Sequence, residues 1–286
     1  MTIESTGPNA EQITFWNKTF GQRWVELQEM LDAQIEPLGC AALERACISQ
    51  GERVLDVGCG CGQSSLQIAE RVGTKGRVLG IDISEPMLAR AIERASGLEQ
   101  ASFENADAQL CKLEASDFDL VFSRFGVMFF ADPPAAFANL RRALKPGGRL
   151  AFVCWQAAPQ NQWILVPMLA IAKHVPLPPP PEPGTPGPMS LADTDRTRNI
   201  LEAAGFEDVA FEDLTGELSI GGGASLDATT DFLTRMGPAS RALADVTDQQ
   251  KQAARAAVRE ALAPFASEAG VKMTGSCWIV TARNPT

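Results

Sequence analysis

The chain has no tyrosine and a single histidine, His174. That scarcity narrows the choice of acid–base catalysts. Without a second histidine or a visible carboxylate cluster, no metal-ligand set is expected. The seven cysteines include no Cys-x-x-Cys pair. Their odd number and scatter point to reduced cytosolic thiols, not a disulfide framework or a zinc site. Basic residues are in the minority, 25 against 35 acidic, so the net charge is −10. A nucleic-acid binder would usually carry a basic patch, so nucleic acid is not expected as a partner. No uncharged span approaches the length of a membrane helix, and no early apolar run has a signal-peptide layout. The expected location is therefore cytoplasmic, with no membrane span. At 286 residues the chain can bury a sizeable core and suits one elaborated domain better than two equal ones.

Residues 54–62 read Val-Leu-Asp-Val-Gly-Cys-Gly-Cys-Gly, an apolar strand running into three alternate glycines. A second apolar run, Arg77–Ile81, is closed by Asp82. Strand, glycine turn, helix and a second strand ending in an acid form a site for an adenosine-containing cofactor. The glycines let backbone approach a ligand without a Cβ in the way, and Asp82 sits where two ribose hydroxyls need an acceptor. A dinucleotide fingerprint requires Gly-x-Gly-x-x-Gly, but the third glycine here is Gly62 and position 63 is Gln. Asp56, two residues before Gly58, would repel a pyrophosphate and suits a cation.

The string Asp56-Val-Gly58-Cys59-Gly60-Cys-Gly62 resembles the first motif of the class I S-adenosylmethionine (SAM) methyltransferases. Four more segments follow in that family's order: Val78–Ser84, Phe103–Ala108, Phe118–Ser123 and Leu144–Leu150. The resemblance implies roles residue by residue. Asp56 and Gly58 would face the methionine end, and Cys59, Gly60 and Gly62 would line the turn. Asp82 with Ile83 would hold the ribose, and Met87 would pack on adenine. Asp107 and Ala108 would meet the adenine edge, and the backbone at Ser123 the methionine ammonium. For Asp82 and Asp107 the competing reading is strand-end turn chemistry. Across the whole chain, including Ser123–Asp132, the sequence is similar to bacterial small-molecule methyltransferases related to the quinone-biosynthesis C-methyltransferases.

The implied activity is methyl transfer from SAM to a small-molecule acceptor, with S-adenosylhomocysteine as product. The alternative is a SAM-binding regulator or scaffold without turnover. A nicotinamide oxidoreductase is disfavoured by Gln63. Arg124, just past the fourth strand, offers a forked donor for a carboxylate, or equally a structural ion pair. Trp16, Phe20 and Trp24 recur every four residues. Trp16 and Phe20 would shield a sulfonium by cation–π attraction, or all three would simply pack a helix on the core. Trp155 and Trp163, with amides between them, suit a partly apolar acceptor, with core packing the competing reading. His174 is the one candidate base by residue type, but its place beside proline-rich sequence favours a structural or exposed role. Asp132-Pro133-Pro134 reads as a helix start, not as the Asn/Asp-Pro-Pro-Tyr/Phe of amino-directed DNA methyltransferases. Monomer and homodimer are both compatible with the pattern.

The expected fold is α/β, a Rossmann-like seven-stranded sheet, mostly parallel with its last strand antiparallel, and helices on both faces. Residues 1–50 would form an N-terminal helical cap and 51–286 the methyltransferase domain. The first twelve residues are expected to fray. An amphipathic helix is predicted over Trp24–Leu38 and a short one over Ala41–Ile48. Helices follow at Gln63–Val72, Glu85–Ser96, with Leu88, Ala91, Ile92 and Ala95 buried, Pro134–Leu144, and Asp193–Ala204, ended by Gly205. A sixth strand is expected at Asp208–Leu214 and a closing strand at Gly275–Ala282. A helical insertion of about 215–270 lies between them, broken at Gly237-Pro238. Residues 176–188 hold eight prolines and are expected as a rigid surface connection, with Pro186–Leu191 open as a wall beside the substrate opening.

Overall fold

The computed structural model describes residues 3–286. Five strands follow one another, with helices between all but β3 and β4: β1 Arg53–Val57, β2 Arg77–Asp82, β3 Ala101–Asn105, β4 Phe118–Arg124 and β5 Leu144–Trp155. Three more follow: β6 Glu207–Ile220, β7 Ala266–Ser267 and β8 Gly270–Arg283. The sheet order is β3-β2-β1-β4-β5-β8-β6, with the two-residue β7 paired to β8. Neighbours from β3 through to β5 are parallel, whereas β8 is antiparallel to both β5 and β6. The architecture is the Rossmann-like sheet expected, with β7 as an added lip. Strand order reverses between β1 and β4, and in an open sheet of this kind the ligand crevice lies outside the strand carboxyl ends at that point.

The helices are α1 Ala10–Asn17, α2 Thr19–Glu26, α3 Gln28–Arg45, α4 Gln63–Val72, α5 Glu85–Arg94, α6 Pro133–Ala143, α7 Gln162–Ile171, α8 Thr194–Ala203, α9 Leu226–Arg235, α10 Gly237–Ala242 and α11 Asp248–Leu262. Gly62, with φ +85°, starts α4. Asp132 and Asp193 cap α6 and α8 by accepting the N–H of Ala135 and Arg196. Gly205 takes φ +91° just after α8, as the C-terminal glycine rule requires.

Several boundaries differ from the sequence expectation. The cap is three helices, not two. Its chain breaks at Leu27, and α3 then runs straight through Pro37, giving up one backbone hydrogen bond there. The burial of Leu31, Ile35, Leu38 and Leu43 along one stripe offsets that loss. Residues 9–12 are not frayed: Asn9 is buried and α1 begins at Ala10, whereas residues 4–8 are exposed and irregular; Met1 and Thr2, the remainder of that expectation, lie outside the described residues. Ile92 is 57% exposed. It projects about 100° round the helix from Ala91, beyond the stripe of Met87, Leu88 and Ala91 that meets the core. β6 continues to Ile220 because β8 pairs with it from Glu207 to Ile220, so the insertion is helical only from Leu226 to Leu262. The proline-rich run 178–183 is exposed and irregular. Beyond it the chain docks: Gly187 donates its N–H, and Ser190 its hydroxyl, to the Met128 carbonyl at 2.9 and 2.6 Å.

Candidate functional site

The end of β1 folds back on itself at the switch point. Gly58, Gly60 and Gly62 all have positive φ. At Gly58, with φ +67°, a Cβ would stand 2.6 Å from Gly126 Cα. Only glycine lets the β1 turn and the loop after β4 approach so closely. That loop carries a further sign of constraint, because Phe125 has φ +64°, a conformation a bulky residue seldom adopts. Ser123 ties the two segments together. Its hydroxyl donates to the Val57 carbonyl at 2.8 Å and accepts the N–H groups of Gly126 and Val127 at 3.2 Å.

Two carboxylates flank the turn. Asp56 is fully buried, and its Oδ2 accepts the hydroxyls of Ser64 and Ser65 at 2.7 and 2.6 Å. Its Oδ1 has no partner among the described residues. Burial pushes its pKa up, opposed by the two serines and then by the charge of Arg124. Asp82 holds the other side. Its oxygens accept the N–H groups of Gly60 and Ser84, each at 2.8 Å. This is the turn chemistry weighed from sequence, and it leaves each oxygen a second lone pair for a hydroxyl donor. Burial raises Asp82 to about 6, against those backbone donors. Ile83 follows it, and its carbonyl accepts from the Asn17 side chain at 2.7 Å. Cys59 and Cys61 are buried in the turn, and burial pushes both thiols up, Cys61 to about 12. They are neutral fillers, not nucleophiles.

The cap covers this turn. Trp16 forms one apolar cluster with Cys61 and Met87. Its ring makes edge contacts with Phe20 at 5.2 Å, Trp24 at 5.6 Å and Phe129 at 5.2 Å. Met87 approaches the turn because Gly60 has no side chain: a Cβ there would lie 3.0 Å from Met87 Cε. At the end of β3, both oxygens of the buried Asp107 accept from Asn9 Nδ2, at 2.9 and 2.8 Å. The adjoining Ala108 is buried. Arg124 lies in a polar latch. It pairs with Asp32 at 3.2 Å and donates to Gln63. Asp32 also pairs with Arg94 at 2.9 Å, and Arg94 donates to the Cys61 carbonyl at 2.8 Å. The structural ion pair weighed for Arg124 is therefore present.

Trp155 is buried and stacks on Phe125 at 4.6 Å, with the half-buried Trp163 tilted against it at 4.8 Å. The two tryptophans thus form a core stack under the loop after β4. His174 is exposed beyond α7, and no side-chain hydrogen bond ties it to the turn. Sequence reasoning missed Asn9, Asn17, Asp32 and Arg94. Each has a partner 33 to 98 residues away, so no local pattern marks it. A cavity of about 620 Å³ opens between α1, α2 and α10. Among the described residues, no group of three His, Cys, Asp or Glu stands close enough to hold a metal ion, and no helix is long and apolar enough to cross a membrane.

The glycine turn, the acid ending β2 and the reversal of strand order together define the class I SAM-dependent methyltransferase fold. A family profile described as a methyltransferase domain matches residues 48–168. Phosphoethanolamine N-methyltransferase 1 of Arabidopsis thaliana is 31% identical over 61% of the chain and 33% of its own length. Demethylmenaquinone methyltransferase of Staphylococcus epidermidis is 33% identical over 39% of the chain and 45% of its own length. The chain thus spans a third to under half of these curated relatives, and the similarity extends across several small-molecule methyltransferases, not the quinone branch alone. Among solved structures, phosphoethanolamine N-methyltransferase 2 of Haemonchus contortus in complex with SAM is 19% identical. It superposes over 96% of the chain and 60% of its own with a TM-score of 0.58.

Proposed function

We propose that this protein binds SAM at the β1–β2 turn and transfers its methyl group to a small-molecule acceptor. The observation that carries the reading is a pair of acids about a three-glycine turn, Asp56 fully buried with its Oδ1 unpaired among the described residues and Asp82 half-buried. A pyrophosphate would be repelled there, whereas the ammonium of a methionine moiety supplies the donor that this oxygen needs. Asp82 accepts the ribose hydroxyls, with Ile83 beside it. Asp107 and Ala108 meet the adenine edge, and Met87 packs on it. Gly58, Cys59, Gly60, Gly62 and the backbone at Ser123 line the methionine end.

SAM brings a methyl already activated by its sulfonium, so the protein need not create a leaving group. The residues of this chain position and enclose. Holding acceptor and methyl in line accounts for about 7–11 kcal/mol of barrier reduction in well-oriented systems. The cap of residues 1–50 and the helices of the insertion roof the crevice and exclude water, with Trp16 and Phe20 as its aromatic inner face. Arg124 serves the site by positioning Gln63 at the start of α4. A place beside the quinone-biosynthesis C-methyltransferases is supported by the demethylmenaquinone methyltransferase match and the aromatic lining. Seven free cysteines support a cytoplasmic setting.

Calorimetry with SAM and S-adenosylhomocysteine tests the binding half, with dissociation constants expected in the micromolar range or tighter, about −8 kcal/mol. Absence of heat and of any thermal shift with either would overturn it. Transfer of tritium from labelled SAM to fractionated bacterial metabolites tests turnover. Tight binding with no labelled product on any acceptor would leave the regulator reading standing.

A further inference from the structure

The cavity between the cap and the insertion is unusually charged for this chain. Lys18, Arg23 and Arg241 line it against Glu11, three cations and one acid in a protein of net charge −10. Its apolar wall is formed by Phe15 and Phe20, whose rings stack at 4.5 Å. Arg241 lies over the Phe15 face, 5.0 Å from its centre. Other cations are engaged: Arg235 on α9 pairs with Glu26 at 2.6 Å, and Arg23 in the cavity wall donates to the Arg235 carbonyl at 3.0 Å. Among the described residues neither Lys18 nor Arg241 has a carboxylate partner, and no oxygen accepts from the Arg241 guanidinium. Arg241 is exposed on the side that faces the cavity. A planar fork of donors fixed on an aromatic ring, with a second cation nearby, is how carboxylates and phosphates are read.

We propose that this cavity is the acceptor's anchoring site and that the acceptor carries an anionic group, carboxylate or phosphate, on an aromatic or otherwise flat apolar body. The anion pairs with Arg241, supported by Lys18, and the body lies against Phe15 and Phe20. At about 620 Å³ the cavity falls within the range of small-molecule sites, about 300–1,000 Å³. Its position suits an acceptor. Phe15 and Phe20 both contact Trp16, at 5.5 and 5.2 Å, and Trp16 packs on Met87 and Cys61 at the glycine turn. The cavity is thus one aromatic layer from the glycine turn proposed to hold the cofactor. This inference rests on the proposed methyl transfer and deepens it by naming the acceptor's charge.

The test uses the full chain saturated with S-adenosylhomocysteine and titrated calorimetrically with 2-naphthoate, 2-naphthyl phosphate and the neutral 2-naphthamide. At least one of the two anions is expected to bind at least tenfold tighter than the amide, and the stronger of them identifies the natural group. Arg241→Gln should abolish that preference while S-adenosylhomocysteine affinity stays within twofold, and Arg241→Lys should restore part of it. Arg255→Gln, on the insertion but outside the cavity, should leave it intact. Equal binding of anions and amide by the wild type would overturn the proposal, as would a preference that survives Arg241→Gln. Failure to bind S-adenosylhomocysteine at all would overturn the methyltransferase reading itself, which separates the two.

Discussion

In its proposed role Asp82 accepts two ribose hydroxyls in the ionised form, which desolvation disfavours. The raised value of about 6, against an ordinary 3.8, has two consequences of opposite sign. Between those values the native chain keeps a proton that the unfolded chain has released. The stabilising contribution is therefore fully present below about pH 4 and is lost as pH rises through about 6. A bound ribose favours the ionised form, so ligand affinity runs the other way. Calorimetry should find S-adenosylhomocysteine bound roughly tenfold more weakly at pH 5 than at pH 7.5. Asp82→Ala should weaken SAM and S-adenosylhomocysteine alike and flatten that profile. Unchanged affinity would leave Asp82 as a turn residue only. Gly58 offers a second check. Alanine there meets Gly126 and must hold φ near +67°, so thermal unfolding should show a loss of about 1–3 kcal/mol, accompanied by weaker cofactor binding.

The cap is held to the sheet by polar contacts as much as by its apolar stripe. Asp32 on α3 lies between Arg94 on α5 and Arg124 at the end of β4. Its removal leaves two largely buried guanidinium groups without their counter-charge. Asp32→Ala should therefore lower stability in urea by about 3–5 kcal/mol. A loss under 1 kcal/mol would show that solvent already screens the pair. Hydrogen exchange in Phe15–Leu31 should slow when S-adenosylhomocysteine binds, because Trp16 and Asn17 touch the ligand-side turn. Equal exchange with and without ligand would make the cap a packing element alone. Deleting residues 1–30 removes more than a roof. It also strips Trp16 from Met87 and Asn9 from Asp107, so stability should fall together with methyl transfer.

For the molecule as a whole, the proposed methyl transfer requires alignment more than a dedicated base. His174→Ala, at an exposed position beyond α7, should cost less than about tenfold in rate. A loss beyond about a hundredfold, about 2.7 kcal/mol of transition-state stabilisation, would make it the base after all. Methyl transfer should be the same in EDTA as in magnesium. Restoration of lost activity by magnesium would reveal ligands drawn together only in the bound state.

The core of the fold could be read in advance because its signals are local. Val54–Gly62 carries an apolar strand, turn glycines and an acid, and Val78–Asp82 an apolar strand closed by an acid, each within about ten positions, and steric limits on φ act residue by residue. The same logic placed α4 and the cap of α6, and it put Asp56, Asp82 and Ser123 at one end of the sheet. It failed where the deciding partner is distant in the chain. Whether residues 9–12 fray depends on Asp107, whether β6 stops at Leu214 depends on β8, and whether Arg124 is free depends on Asp32. Trp155 looks the same in sequence whether it lines a pocket or stacks on Phe125. The cofactor end of this protein is thus written in consecutive residues. The roof, the latch and the charged cavity arise from contacts of α1, α2, α3 and α10 with one another and with α5 and the end of β4, elements brought together by burial of their apolar faces, and burial depends on what lies opposite.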